Sequence, residues 1–418
     1  MRKNIKTGAV DARSEVVSVA RCLQGITDPR RIKTFLDLVT ACVASGQLQS
    51  AALGRQLPHE RPVKERSEAS GHHTCEPLSD KDNIKRVDRF LGNKHVHRVQ
   101  LSLWEAAMRP SLEAAKELVI LVDWTGGCVG SNLWTLSASL AGKGRATRIY
   151  ETVVHKRSLD GREVVASFLD GLKRILPPNR RVVIVTDAGF RQPFFKAVRE
   201  RGWHFVGRLR GRTFIGKCAK KMQRAKELVL DATSVPRLLS DYFVSKMNLA
   251  HCPTVVLFKA KPKGREDKSR KGTKKRGNHA KKYSSAAREG WLILSSLTDV
   301  CARKLVGIYA LRMTCEQAFR DAKSPRFGLG LEQARTKDES RYAILCLIGA
   351  VAALILCRLG AAVRNTPWAR SRQANTVKDR AVLSDFTLGC RFVASLVRRV
   401  SDLLVVARRG PVVSGALT

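Results

Sequence analysis

Acidic side chains are scarce in this chain: 36 Asp and Glu stand against 77 Lys and Arg, a formal net charge of +41 and an isoelectric point near 10.6. Such an excess goes far beyond what solubility asks and calls for a polyanionic partner, because DNA, RNA and anionic lipid surfaces all attract clustered Lys and Arg. Paired-cysteine motifs are missing too. The eleven cysteines are an odd number, scattered, without any C-x-x-C, which argues against a disulfide framework and a structural zinc site and points to a reducing cytosol. The one group with ligand-like chemistry, His72, His73 and Cys75 in "HHTC", has no second ligand pair nearby. No apolar h-region follows the basic opening "MRKNIKTGAVDARSE", so neither a secretory signal nor an export address is expected. The apolar run "AILCLIGAVAALILC" at 343–357 is closed by Arg358. It stops short of the roughly 18 to 20 residues a bilayer requires and reads as a buried core helix, with no membrane among the expected partners.

What is present falls into segments. Residues 20–57 look helical, with "RRIKTFLDLVTACVASG" and "LQSAALGRQL" spacing apolar residues by three and four, and Gly46 between them fits a helix-turn-helix. Residues 58–82 carry Pro, His, Ser and charge without periodicity and read as a linker or insertion. "KDNIKRVDRFLGNKHVHR" then surrounds Ile84, Val87, Phe90 and Leu91 with Lys85, Arg86, Arg89, Asn93, Lys94 and Arg98. We read this as a DNA-contacting face, although a solvated helix surface carries the same pattern. Residues 1–110 are therefore expected to form a helical N-terminal DNA-binding domain.

From residue 117 the period changes. "ELVILVDWT", "NLWTLSASLAG" and "TRIYETVVH" read as strands, "GREVVASFLDGLKRILPP" as a helix, "RRVVIVTDAGF" as a buried strand, "RQPFFKAVRERG" as a helix and "WHFVGRLRG" as a strand. That order predicts a mixed α/β sheet flanked by helices, with the order of a ribonuclease H-like core. Its first part is expected over 111–207 and its second over 301–364, separated by a β-rich insertion over 208–300. The segment 259–282 inside that insertion is too rich in Lys, Arg and Gly to bury a core, so Lys268, Arg270, Lys271, Lys274, Lys275 and Arg276 read as an exposed basic loop. Residues 365–418 are expected to be helical and suited to dimerisation.

Three carboxylates carry the chemistry. Asp123 ends "LVILV" and Asp187 ends "VVIV", and two such strands side by side would bring both acids to one sheet edge. Taken singly, each also fits an Asp capping the next turn. Glu316 lies in "YALRMTCEQAFRDAK", where about 100° per residue puts Tyr309, Arg312, Glu316, Arg320 and Lys323 within an arc of about 80° on one helix. A salt-bridged flank has this spacing too. Four cationic or phenolic groups around one acid are more than pairing needs, and suit a phosphate backbone beside a metal ligand. Oxygen donors without Cys or His select Mg²⁺ or Mn²⁺, and two such ions serve phosphodiester cleavage.

The spacing Tyr309-x2-Arg312-x3-Glu316-x6-Lys323, together with "VDWT", "VTDAGF", "NIKRVDRFLGN", "FRDAKSPRFGLGLEQARTK" and "QANTVKDRAVLS", resembles the IS-four group of bacterial insertion-sequence transposases, its Tn-ten type more than its Tn-five type. The resemblance implies a DDE transposase working by cut and paste as a homodimer on double-stranded DNA: cleavage at terminal inverted repeats, a hairpin intermediate, and transfer of the 3′-hydroxyl to target DNA. It implies that Asp123, Asp187 and Glu316 bind two Mg²⁺, with Mn²⁺ able to substitute, and that Tyr309, Arg312 and Lys323 hold phosphates. Trp291 matches an aromatic that stacks on a flipped base, though a Trp opening a strand also serves as core. The stretch 58–82 is longer than in the Tn-ten type, and the Trp291 to Tyr309 spacing is shorter. Two other readings stay open: a structure-specific nuclease on the same fold, and a transposase-derived DNA-binding inhibitor. Neutralising the basic residues of 259–282 should weaken DNA binding and flatten the dependence of log Kd on log salt. An unchanged salt slope in filter-binding titrations would show that the segment does not touch phosphate.

Overall fold

The computed structural model describes residues 12–62, 75–247, 249–261, 273, 277–278, 289–373 and 381–396. The chain divides into two compact units, one of Met1–Ala114, Trp124–Pro177 and Glu316–Thr418, the other of Ala115–Asp123 and Pro178–Cys315.

The first unit opens with helices α1 (Ala12–Leu23), α2 (Pro29–Ser45) and α3 (Ser50–Arg55), then strands β1 (Glu60–Pro62) and β2 (Cys75–Pro77), then helices α4 (Asp80–Leu91) and α5 (Lys94–Glu113). Local chemistry sets these boundaries. The Asp28 side chain accepts the Arg30 N–H to start α2, and Gly46 at φ +65° ends it. Ser79 and Asp82 cap α4 reciprocally, and Asn93 caps α5. The aperiodic stretch 58–82 contains an antiparallel β1–β2 ribbon. Three-residue strands are too short to register as periodicity, which is why the sequence reads as a plain linker. His72 and His73 lie outside the described residues, and the Cys75 side chain is likewise not described. Every cysteine whose side chain is described is free.

Strands β3 (Leu118–Gly126), β4 (Leu133–Leu140) and β5 (Thr147–His155), helix α6 (Arg162–Ile175), strand β6 (Val182–Thr186), helix α7 (Gln192–Glu200) and strand β7 (His204–Arg208) follow in the order expected from the change of period. The second unit continues with β8 (Phe214–Cys218), β9 (Lys221–Arg224), the short helix α8 (Ala225–Leu228), β10 (Arg237–Val244), β11 (Ala250–Phe258), β12 (Trp291–Ser295) and helix α9 (Ala302–Ala310). Its strands run in the order β3-β6-β7-β12-β11-β10-β8-β9. The β3, β6 and β7 strands are parallel, and the others join antiparallel. The first six residues of β3 and all of β6 are buried, as unbroken apolar runs require when both sheet faces are covered. Helices α7 and α9 pack within this unit, with Phe195 of α7 stacked on Phe205 of β7 at 4.5 Å. The β-rich stretch therefore extends the sheet of the parallel strands through the β12–β7 pair. The result is a mixed α/β architecture, consistent with a ribonuclease H-like transposase domain.

The first unit ends with α10 (Met313–Lys323, of which Glu316 onward belongs to this unit), α11 (Glu339–Val363), α12 (Pro367–Arg370) and α13 (Asp385–Leu396). The apolar run at 343–357 is the middle of a longer helix than expected, 25 residues, because Arg358 does not end it. The Arg358 guanidinium reaches Glu15 and Ser111, each at 3.2 Å, while its stem stays on the helix. Among the described residues α11 is the one helix long and apolar enough to cross a membrane, but 83% of its most apolar window is buried against protein. It packs on β5, α2 and α13. The α11–α13 crossing is so close that a Cβ on Gly389 would run into the Leu356 carbonyl, and one on Gly360 into that of Asp385. Gly389→Ala should accordingly cost about 1 to 3 kcal/mol by overpacking, read from urea unfolding. An unchanged midpoint would mean that the crossing relaxes freely.

Candidate active site

The site begins with strand register. In the parallel pair β3–β6, Val122 stands opposite Thr186; the next residues are Asp123, sixth of the nine residues of β3, and Asp187, the first after β6. The chain turns sharply after Asp187, whose Oδ1 accepts the Gly189 N–H at 2.7 Å. A Cβ on Gly189 would press on that same oxygen, and the carboxylate would have to shift. Asp123 is 9% exposed. Its Oδ2 accepts from Arg312 Nη1 at 3.1 Å. A carboxylate this buried requires a cation, and here the cation comes from the protein.

Tyr309 is buried at the end of α9, edge-on to Trp291 with ring centres 5.0 Å apart. Burial pushes its phenol above the ordinary range. Arg208, which hydrogen-bonds the hydroxyl, and Arg312 pull it down, and nearby Asp187 pushes it up. One unit thus gathers Asp123, Asp187, Tyr309, Arg312 and Arg208, with Trp291 packed behind Tyr309 and edge-on to Phe258 at 5.7 Å. Arg208, the last residue of β7, pairs with Glu289 at 2.6 Å. It opens a cleft of about 520 Å³ that Arg210, Arg212, Lys226 and Ala188 also line, and Arg210 Nε donates to the Ala188 carbonyl at 2.5 Å. The sequence reading passed over these arginines. Their signal was present as alternation: Arg208, Arg210 and Arg212 are spaced by two at and just past the end of β7.

The stretch 309–323 is not one helix, contrary to the expectation from its periodicity. Helix α9 stops at Ala310 and α10 starts at Met313, because the Leu311 carbonyl accepts both the Thr314 hydroxyl at 2.7 Å and the Thr314 N–H at 2.8 Å. A side chain that competes for a backbone acceptor breaks the ladder without disturbing the apolar spacing. Tyr309 and Arg312 therefore belong to the end of α9 and the break, not to one continuous stripe with Glu316.

In the other unit Glu316 is exposed on the first turn of α10, where the helix dipole favours an anion. Arg320 is exposed on the same helix. Lys323 Nζ donates to Thr125 Oγ1 at 2.5 Å and to the Gly126 carbonyl, at the end of β3. Burial pushes its ammonium below the ordinary range, and Glu151 leads the groups that pull it back up. Glu151 is itself buried in a 2.9 Å pair with Arg148. In the β4–β5 register Ser137 and Ser139 face these two residues, and Cys346 of α11 hydrogen-bonds Glu151.

Of the N-terminal residues read as DNA contacts, Lys85, Arg89 and Lys94 are exposed. Arg86 instead pairs with Asp37 of α2 at 2.7 Å, and Asn93 serves as the α5 cap. Lys268, Arg270, Lys271, Lys274, Lys275 and Arg276 lie outside the described residues. Among the described residues no three His, Cys, Asp or Glu side chains are grouped to hold a metal ion. Replacing Tyr309 by Phe removes the hydroxyl that Arg208 engages and should cost about 1 kcal/mol. Tyr309→Ala also removes the ring from Trp291 and should cost about 3 to 5 kcal/mol. Equal losses in urea unfolding would contradict the separate roles of hydroxyl and ring.

Residues 136–353, just over half of the chain, match the family described as the transposase DDE domain. The matched stretch contains Asp187 and Glu316 and begins downstream of Asp123. No curated protein matches the chain. With this match over more than half of its length, and a mixed sheet whose parallel strands carry the chain to Asp123 and Asp187, the chain belongs to the transposase DDE domain family.

Proposed function

We propose that this transposase works by cut and paste in the manner of the IS-four group, binding terminal inverted repeats as a homodimer, cleaving the ends through a hairpin and joining the 3′-hydroxyls to target DNA. The observation that supports the reading is that Asp123 and Asp187 directly follow the paired residues Val122 and Thr186 of β3 and β6, with Arg312 on Asp123 and with Asp187, Arg208 and Arg312 near Tyr309. Arginines and a phenol are phosphate-binding groups, and here they crowd acids that need positive charge.

The donor set fits a hard divalent cation. Asp123 already takes a cationic partner, and the site offers carboxylate oxygens without Cys or His. Asp123, Asp187 and Glu316 would hold Mg²⁺ or Mn²⁺, which when bound supplies Lewis-acid activation of the phosphodiester. This requires Arg312 to release Asp123 and turn to a DNA phosphate, with Tyr309, Lys323 and Arg208 binding neighbouring phosphates. Arg320 is proposed to bind phosphate as well. Trp291 is proposed to stack on a flipped base, a role supported by its half-buried place beside Tyr309. Lys85, Arg89 and Lys94 and the basic segment 259–282 are proposed to track the duplex. Localisation in the cytoplasm follows from a DNA substrate.

The experiment is incubation with Mg²⁺ and DNA carrying candidate inverted repeats. Strand-transfer products support transposition, cleavage without joining supports a nuclease, and binding alone supports an inhibitor. Glu316→Gln should abolish cleavage and leave end binding nearly intact, because it removes a metal ligand without adding bulk. A matching loss of binding in gel-shift titrations would count against the metal role.

A further inference from the structure

Directly after Lys323 the chain turns through "SPRFGLG", and one aromatic side chain stands out of the turn: Phe327 is 58% exposed. A single exposed apolar residue needs no explanation on its own. The frame beneath this one does. The Phe327 N–H donates to Ser324 Oγ at 3.1 Å, the Gly328 N–H to the Ser324 carbonyl at 2.9 Å, and the Leu329 N–H to the Asp321 carbonyl at 2.8 Å. Gly328 lies so close to α10 that any Cβ would strike the Asp321 carbonyl, and Gly330 sits at φ +66°. Asp321 is itself 5% exposed and held by Arg145 at 2.7 Å. The Leu329 carbonyl accepts the Leu48 N–H at 2.9 Å. The backbone that carries Phe327 is thus tied down on both sides, and the ring is held outward by construction.

Two cations lie close to the ring. The Arg326 and Arg320 guanidinium carbons lie 5.0 and 5.9 Å from its centre. Arg320 projects from α10, the helix of Glu316 and Lys323. A rigid exposed aromatic with two guanidiniums beside it matches a ligand that combines a flat π face with adjacent negative charge, which describes a nucleobase and its phosphates. An apolar pocket on a protein partner would accept the ring but leave two guanidiniums to be desolvated without compensation.

We propose that Phe327 is a DNA base-stacking residue, with Arg320 and Arg326 engaging phosphates adjacent to the stacked base. The proposal rests on the reading of the chain as a DNA transposase and adds to it a second contact surface beyond the acidic site.

The test uses the full-length protein and a DNA duplex with a short single-stranded tail, carrying 2-aminopurine at successive positions. Stacking on an aromatic is tolerant of sequence, so the probe does not depend on the identity of the transposon end. For the wild type, binding should change the 2-aminopurine emission at one or two neighbouring positions. Phe327→Ala should lose that change and bind about ten- to a hundredfold more weakly, the contribution of one base stack. The slope of log Kd against log salt should stay the same, because no phosphate contact is removed. Phe327→Trp should retain the signal, and Arg326→Ala should lower the salt slope by about one. Because the ring is exposed, the thermal midpoint of Phe327→Ala should match that of the wild type, which separates lost stacking from lost folding. Wild-type affinity and emission in Phe327→Ala would overturn the proposal. So would a variant with normal DNA binding that sediments as a different oligomer, which would assign the ring to a protein contact. Either outcome would leave cleavage and its dependence on Glu316 untouched, whereas absence of cleavage by the wild type would overturn the transposase mechanism instead.

Discussion

Parallel pairing of two buried strands is the constraint on which the rest depends. β3 and β6 can lie side by side only because both are apolar on both faces, and their shared register fixes where the backbone leaves the sheet. Asp123 follows the apolar run of β3, and Asp187 follows Thr186 at the end of β6. A shift of either strand by one residue would change which residues stand opposite each other and move one acid relative to the other. The carboxylates are brought together by hydrophobic burial, against their own repulsion.

That repulsion explains the surroundings. Asp123 takes Arg312, Asp187 turns one oxygen to the Gly189 N–H, and Arg208 reaches Tyr309 from the next parallel strand. Positive groups at the end of β7 and just past α9 thus compensate an acid within β3 and one just past β6. Groups that balance the acids in the free protein have the right chemistry to hold phosphate once a substrate enters. Lys323 is subject to a related balance: burial and Arg148 disfavour its charged form, and Glu151, held by Arg148, favours it.

How far these features were legible in the sequence depended on the length scale of each cause. The order of strands and helices from β3 to β7 was readable because period 2 and period 3.6 differ over whole segments, and the two aspartates because each ends an unbroken apolar run. The break between α9 and α10 was not readable. A single Thr314 hydroxyl on the Leu311 carbonyl causes it and leaves the apolar spacing of Ile308, Cys315 and Phe319 intact. Helix α11 was underestimated because Arg358 looks like a terminus, although its long stem allows the charge to leave the helix. Arg86 resembled its exposed neighbours until its partner, Asp37, came from a helix some fifty residues away. Arg208 was hidden for the same reason: its significance comes from Tyr309 and Asp187, which only the fold brings near.

The claim beneath all of this is that Asp123 and Asp187 form one divalent-cation site. Iron(II) in place of Mg²⁺, with ascorbate and peroxide, generates hydroxyl radicals at the bound ion and cuts the nearby backbone. Cuts beside both residue 123 and residue 187 that disappear with excess Mg²⁺ or in Asp187→Asn are the predicted result. Cuts confined to one of the two positions, or unaffected by Mg²⁺, would contradict a shared site.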